Sequence, residues 1–273
     1  MILEKLKSYY RRHRYAIFKR SDKHFRELQR LKAMPRFTQG NTTLLGNKLC
    51  FTDSASLLSI YDEIFTKEIY KFQTENTEPY IIDAGANIGL SVIYFKQLYP
   101  NSEIVAFEPD TAAFEALSFN IESFYLNKIT LVKKALWNDE TIMSFYSEGA
   151  DGGRVACKED TDQLIDIQTT KLRDYLNRKV DFLKIDIEGA ETLVLENCAD
   201  LLSNVERLFV EYHSISGHPQ SLHTLTEILN SAGFRYQVQN NGVFSPHPFL
   251  KINKHINMDL QLNIFAYRSQ IFC

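Results

Sequence analysis

Two apolar segments of this sequence end in side chains that could move a proton. Asp186 and Glu188 follow the run FLKI, and Glu211 and His213 follow the run RLFV. Both runs resemble buried parallel strands, whose carboxyl ends meet at one edge of a sheet, and alternation places the two members of each pair on the same face. Because histidine titrates near neutral pH, we predict His213 as a general base for a hydroxyl group, with Asp186 and Glu211 in the catalytic set.

The same four side chains allow a second interpretation as a metal site. Carboxylates combined with an imidazole are ligands for Mg²⁺, Mn²⁺ or Zn²⁺. A third interpretation is structural, because Glu188 and Glu191 would favour the N-terminus of the next helix through its dipole. We adopt the structural interpretation for Glu191 and leave the role of Lys184 open. A divalent cation is possible but not expected.

A glycine-containing junction between a strand and a helix is a candidate nucleotide-like binding site. The segment from Asp83 to Gly89 reads DAGANIG, and it lacks a dinucleotide-binding G-x-G-x-x-G pattern because Asn87 and Leu90 stand at the second and third glycine positions. Asp83 stands where a cationic amino group or a bound water could be held. Glu108 ends the next apolar run and could accept hydrogen bonds from both hydroxyls of a ribose.

The segments around these residues alternate between strand and helix patterns. Apolar runs predict strands at 80–83, 103–109, 129–136, 181–189 and 207–213, an edge strand at 141–147, and late strands at 235–240 and 263–269. Helix-period segments separate most of them, so we predict a doubly wound α/β domain with a mostly parallel sheet over residues 76–273. Residues 1–75 are predicted to form a basic helical extension, and residues 148–160 a polar, glycine-bearing loop.

Composition limits the possible functions. The 273 residues carry a net charge of −3, which excludes a uniformly basic nucleic-acid binder. Residues 1–34 nevertheless hold 11 basic and only three acidic residues. The four cysteines show no metal or disulfide spacing, and no apolar run approaches the length of a membrane span. We therefore expect a cytoplasmic protein with reduced thiols.

The motifs DAGANIG, AFEP, KKALWND, FLKIDIEGAE and FVEYH, with Asn120 between the second and third, resemble the FkbM family of class I S-adenosylmethionine-dependent methyltransferases in order and spacing. The resemblance covers about residues 79–215. It implies a seven-stranded sheet with an antiparallel final hairpin and S-adenosylmethionine as cofactor. It also implies O-methylation of a sugar or natural-product hydroxyl. The chain departs from the family at Arg173, where an acidic residue is usual.

The resemblance also assigns cofactor contacts position by position. It implies that Asp83, Gly85 and Asn87 hold the methionine end of the cofactor, that Glu108 contacts the ribose, and that Ala135 and Leu136 border the adenine. We add Gly89, Pro109 and Asp186 as candidate cofactor contacts, although Asp186 could orient the acceptor instead of the methionine amine.

Two other functions remain open at this stage. One is a nucleotide-sugar-modifying or NAD-dependent enzyme on a related sheet, which the missing second glycine disfavours. The other is a non-catalytic interaction protein that uses the basic arm. For the arm we favour self-association or packing on the core over contact with an anionic membrane surface. We expect a small-molecule or carbohydrate-like acceptor and no nucleic acid.

Overall fold

A computed structural model describes residues 22–146, 154–155, 164–242, 245–254 and 257–268. The strands are β1 (Gly40–Thr42), β2 (Leu49–Phe51), β3 (Tyr80–Ala84), β4 (Glu103–Phe107), β5 (Ile129–Val132), β6 (Ala135–Trp137), β7 (Ile142–Tyr146), β8 (Arg154–Val155), β9 (Leu164–Lys171), β10 (Phe182–Ile185), β11 (Arg207–Ile215), β12 (Arg235–Asn240) and β13 (Met258–Tyr267). The α-helices are α1 (Asp22–Lys32), α2 (Ser54–Tyr61), α3 (Leu90–Leu98), α4 (Thr111–Ser123), α5 (Glu191–Asn197) and α6 (Leu222–Ser231).

The main sheet has seven strands in the order β12-β13-β11-β10-β3-β4-β5. The strands from β11 to β5 run parallel, and β13 pairs antiparallel with both β11 and β12. This arrangement confirms the predicted doubly wound sheet with an antiparallel final hairpin. It brings the carboxyl ends of β3, β4, β10 and β11 to one edge.

A second, four-stranded sheet has the order β6-β9-β7-β8 and corrects two predictions. The run at 129–136 is not one strand, because β5 ends the main sheet and β6 pairs with β9 in the second sheet. The run at 141–147 gives β7, which is not an edge strand because it lies between β9 and β8. Strand β9 was not predicted, and most of the predicted loop at 148–160 lies outside the described residues.

The N-terminal segment packs on the sheet. Within residues 22–75, α2 continues into a π-helical turn over Asp62–Thr66, and β1 with β2 forms a hairpin that the sequence analysis missed. Leu31, Phe51, Tyr70 and residues of β3 and α3 belong to one hydrophobic core. A second core fills the opposite face of the sheet, where α5 and α6 pack. Residues 1–21 lie outside the described part of the chain.

Candidate functional site

The glycine loop is held between two neighbouring strands. The amide nitrogens of Gly85 and Ala86 donate to the carbonyl of Phe107 at the end of β4, at 3.1 and 2.8 Å. Gly85 has a φ of +81°, and a Cβ placed on it would lie 1.8 Å from the carbonyl oxygen of Asp186. Only glycine fits there, because the loops that follow β3 and β10 touch through their backbones.

Asn87 and Gly89 shape the remainder of this loop. Asn87 adopts a φ of +48°, and its side-chain oxygen accepts from the amide of Ile88 at 2.6 Å. Gly89 stands at the N-terminus of α3 with a φ of +87°. A Cβ on Gly89 would lie 2.6 Å from the end of the Leu117 side chain on α4, so that side chain would have to shift, and the positive φ also favours glycine at this position.

Glu108 lies where its predicted role requires it, directly after β4 and beside the glycine loop. One carboxylate oxygen accepts from the amide of Asn87 and the other from the amide of Asp110, both at 2.8 Å. Burial raises the pKa of Glu108 to about 7, although the two backbone amides oppose this rise. The group is therefore poised to change charge near neutral pH.

The remaining residues predicted to contact the cofactor, apart from Asp186, are Ala135, Leu136 and Pro109, and all three are at least half-buried. Ala135 and Leu136 are buried on β6, beyond edge strand β5, and Leu136 belongs to the core on the side of α5 and α6. Pro109 is half-buried. Arg173, the departure from the family pattern, donates to the carbonyl of Asn197 at 2.7 Å and contacts Asp200 at 3.3 Å.

Lys184 connects the two halves of the site, a role that the sequence analysis left open. Its ammonium nitrogen lies 2.7 Å from the carbonyl oxygen of Gly85 and 3.4 Å from a carboxylate oxygen of both Asp83 and Asp186. Burial alone would lower the pKa of Lys184, but attraction by Asp186 and Asp83 outweighs burial and raises it. Asp83 itself is fully buried and accepts from the hydroxyl of Ser91 at 2.5 Å.

The predicted acidic cluster is present around His213. Its Nε2 atom lies 3.6 Å from Glu188 and 3.7 Å from Glu211, and its Nδ1 atom lies 2.9 Å from Glu191. Glu188 is brought in by a backbone φ of +56° after β10 has ended, so strand alternation does not place it. Asp186 completes the cluster, since it contributes a ligand atom within 4.8 Å of atoms of Glu211 and His213.

One expectation about this cluster needs correction. Glu191 does more than favour a helix N-terminus, because its side chain is buried and contacts both His213 and the amide of Gly189. Burial would lower the pKa of His213, but the carboxylates of Glu188 and Glu191 outweigh burial and hold the pKa well above its usual range. This raised pKa favours the protonated form of the imidazole.

Strand β13 supplies polar residues that the sequence analysis missed. Gln261 lies opposite His213 and Asn263 opposite Glu211 in the antiparallel register. The side-chain nitrogen of Gln261 donates to Glu211 and lies 3.3 Å from Nε2 of His213. Asn241, which follows β12, donates to Glu211 at 2.9 Å. The alternation of polar and apolar residues over DLQLNIF could have indicated that these polar side chains share one face of a strand.

Burial and repulsion within the cluster favour shared protons. Burial raises the pKa of Glu211 to about 8, and repulsion by Asp186 adds to the rise. Burial also raises the pKa of Glu188 well above its usual value, although His213 opposes this effect. Charges this close titrate as a group, so a proton here belongs to the cluster rather than to one residue.

A seven-stranded sheet of this order, with a glycine loop after β3 and an acidic residue after β4, defines a Rossmann-like class I methyltransferase fold. The sequence profile of the methyltransferase FkbM domain matches residues 83–236, more than half of the chain. The chain therefore belongs to the FkbM methyltransferase family, as its motifs indicated. Among the described residues, no helix combines the length and apolar character needed to span a membrane.

Named relatives agree with this family. Methyltransferase 1 of Beauveria bassiana is 28% identical over 209 residues, which cover 66% of this chain and 82% of that protein. The 31-O-demethyl-FK506 methyltransferase FkbM of Streptomyces tacrolimicus is 24% identical over 223 residues, covering 68% of this chain and 85% of that protein. A crystal structure of methyltransferase FkbM from Methylobacillus flagellatus aligns with a TM-score of 0.47 at 17% identity, over 72% of this chain and 45% of that one.

Proposed function

We propose that this methyltransferase uses S-adenosylmethionine to methylate a hydroxyl group on a small sugar or natural-product acceptor. The observation that carries the proposal is the connection made by Lys184. Its ammonium contacts the carbonyl of Gly85 in the glycine loop and the carboxylate of Asp186 in the acidic cluster. This connection supports a proposed cofactor site and a proposed proton-accepting site that lie side by side at one edge of the sheet.

The cofactor half of the site is proposed to act through the backbone and through Glu108. The amides of Asn87 and Asp110 each donate to one oxygen of the Glu108 carboxylate. The remaining lone pairs of this carboxylate are proposed to accept hydrogen bonds from the ribose hydroxyls. Because Asp83 is buried against Ser91 and Lys184, it is proposed to fix the loop that receives the methionine end. Pro109, Ala135 and Leu136 keep their proposed places beside the ribose and adenine.

The acceptor half of the site is proposed to orient a hydroxyl group and to take its proton. When bound, S-adenosylmethionine supplies a sulfonium methyl group, whose bond electrons stay on sulfur as the new carbon–oxygen bond forms. Asp186 is the most exposed member of the cluster, at 26% of its side chain, and is proposed to orient the acceptor. The released proton goes to the group formed by Glu188, Glu211 and His213.

Two observations support oxygen as the methylated atom. The cluster offers carboxylates, which accept hydrogen bonds from hydroxyl groups and receive their protons. The relative from Streptomyces tacrolimicus is named for the methylation of an oxygen. A proton-accepting cluster beside the cofactor loop suits a nucleophile that must lose a proton during transfer.

Calorimetry with S-adenosylhomocysteine and with NAD tests the cofactor part of the proposal. We expect the full chain to bind S-adenosylhomocysteine and not NAD. Glu108→Ala should weaken this binding by about tenfold or more, because a hydrogen bond to a charged acceptor contributes roughly 1.5–3 kcal/mol. Binding of NAD without S-adenosylhomocysteine would overturn the proposal.

A further inference from the structure

We propose that Asp186, Glu211 and His213 bind one divalent metal ion of the Mn²⁺ or Mg²⁺ class. One ligand atom from each of these residues already lies within 4.8 Å of the other two. Metal–ligand bonds of about 2.1 Å place neighbouring ligand atoms roughly 3 to 4 Å apart, so the three residues need only a small contraction.

Asp186 is the residue that must move to bring the three ligand atoms closer together. Nε2 of His213 and the nearer oxygen of Glu211 are 3.7 Å apart, which already suits two ligands of one ion. Both side chains are buried, whereas the Asp186 side chain is 26% exposed and follows the end of β10. Asp186 can therefore approach the fixed pair without a change in the sheet.

Two polar oxygen atoms beside these ligands lack hydrogen-bond partners among the described residues. Asn263 is 6% exposed, its Oδ1 atom is buried without a donor, and it lies opposite Glu211 on the same face of the sheet. Oε2 of Glu188 is also buried without a donor and lies 3.6 Å from Nε2 of His213. Buried acceptors of this kind need a donor, a water or a cation, and oxygen ligands suit Mg²⁺ and Mn²⁺.

The histidine is oriented as a metal-binding histidine usually is. Its Nδ1 atom lies 2.9 Å from Glu191, a carboxylate that is 1% exposed and also accepts from the amide of Gly189 at 2.9 Å. In the neutral imidazole, a carboxylate that accepts the N–H of one ring nitrogen leaves the lone pair of the other ring nitrogen available to a metal ion, which binds there in competition with a proton. That nitrogen, Nε2, points toward Glu188 and Glu211.

The charges around the site also call for a cation. Asp186, Glu188, Glu191 and Glu211 surround His213, and the ammonium of Lys184 is shared between Asp186 and Asp83. A bound divalent ion would compensate the excess of carboxylates. If the proposed function holds, the ion would also bind the acceptor oxygen and make its proton easier to remove, and Glu188, the member of the proton-accepting group that is not a proposed ligand, would take that proton.

Electron paramagnetic resonance of Mn²⁺ added to the full chain tests this proposal, because bound ions lose the sharp signal of free aqueous Mn²⁺. We expect saturable binding of about one ion per chain and displacement by Mg²⁺. Asp186→Asn should weaken Mn²⁺ binding by at least tenfold. Glu191→Gln, which keeps one acceptor oxygen but removes the carboxylate beside Nδ1 of His213, should weaken it by about 10- to 100-fold.

Asp139→Asn is the matched control, because Asp139 is an exposed carboxylate on the turn after β6 and should leave Mn²⁺ binding unchanged. Thermal melting reports whether each variant is folded. Absence of saturable Mn²⁺ binding by the wild-type chain at millimolar concentration would overturn the proposal. Binding that survives both Asp186→Asn and Glu191→Gln would also overturn it, since the ion would then be held elsewhere. If the metal proposal fails in either of these two ways while the wild-type chain still binds S-adenosylhomocysteine, the proposed function stands.

Discussion

Glu108 is a residue whose charge should control cofactor affinity. Burial raises its pKa to about 7, so the carboxyl is mostly neutral at pH 6 and mostly ionised at pH 8. Hydroxyl donors bind the ionised form more strongly, so S-adenosylhomocysteine affinity should rise with pH across this range, by up to about tenfold. Calorimetry at a series of pH values measures this dependence.

Glu108→Gln is the control for that pH dependence, because glutamine keeps one acceptor oxygen and cannot ionise. The variant should bind S-adenosylhomocysteine more weakly at pH 8 and lose the rise in affinity that the wild type shows. The same pH dependence in the wild type and in Glu108→Gln would assign the titration to another group and contradict the role proposed for Glu108.

Alanine substitutions at Gly85 and Gly46 distinguish the cost of backbone strain from the cost of a steric clash. Both have positive φ, +81° and +100°, so alanine at either position should cost about 1–2 kcal/mol in the free energy of unfolding. A Cβ at Gly46 meets nothing within 4 Å, whereas one at Gly85 overlaps the carbonyl of Asp186. Gly85→Ala should therefore be the more destabilising change and should abolish S-adenosylhomocysteine binding.

Urea unfolding and calorimetry on Gly85→Ala and Gly46→Ala check this expectation. Gly46→Ala should retain cofactor binding, since Gly46 lies in the turn between β1 and β2. Equal losses of stability in the two variants, with binding intact in both, would mean that the contact between the loops after β3 and β10 does not matter.

The glycine loop could be predicted from sequence because its requirements are local. Glycines or asparagine at fixed spacing after an apolar run determine where the backbone turns, and the loop from Asp83 to Gly89 has the predicted place between strand and helix. Glu191 and Lys184 could not be assigned in this way. Their contacts with His213 and Gly85 join different elements, and spacing along the chain carries no information on such contacts.

At the scale of elements, apolar runs buried on both faces were predictable and half-exposed strands were not. All five residues of β3 are buried, and its position was predicted correctly. Strand β9 mixes exposed polar residues with buried ones, so its sequence gives no clear run. The break between β5 and β6 falls at two lysines, 133 and 134, and separates two sheets within one apparent strand.

Helix α4 connects the N-terminal hairpin with the glycine loop through Asn120. The Asn120 side chain is fully buried, donates to the carbonyls of Cys50 and Ile88 at 2.9 and 2.8 Å, and accepts from the amide of Cys50 at 2.7 Å. Asn120→Asp places a carboxylate oxygen against two carbonyls. We expect a loss of about 3 kcal/mol or more in unfolding free energy.

Asn47→Asp is the matched control for this connection. Asn47 is half-buried and donates one hydrogen bond, to the carbonyl of Ser123 at 2.7 Å, so its substitution should cost about 1 kcal/mol. Urea unfolding measures both values, and calorimetry shows whether cofactor binding falls with the stability of the loop. A similar small cost for both substitutions would remove the proposed link between the hairpin and the glycine loop.

At the scale of the whole molecule, the described end of the basic arm of residues 1–34 belongs to the packed N-terminal segment. Residues 1–21 carry seven basic residues and one acidic residue and lie outside the described residues. Residues from 22 onward join the core, where Leu31 is fully buried and Arg30 donates to the carbonyl of Asn41 at 2.9 Å. The packing predicted for the arm is thus observed only for its described end.

Two truncations test how much the described end of the basic arm contributes to stability. Removing residues 1–34 exposes the core that Leu31 covers, and burial of one such side chain contributes about 1.5–3 kcal/mol, so the melting temperature should fall by roughly 5 °C or more. Removing only residues 1–21 keeps Leu31 and its contacts, so this variant should retain S-adenosylhomocysteine binding. Sedimentation with anionic vesicles at low salt, and sedimentation mass without them, then show what the basic residues contribute. An unchanged melting temperature after removal of residues 1–34 would contradict the packing role of the described end of the arm, because the core that Leu31 covers would then not depend on it.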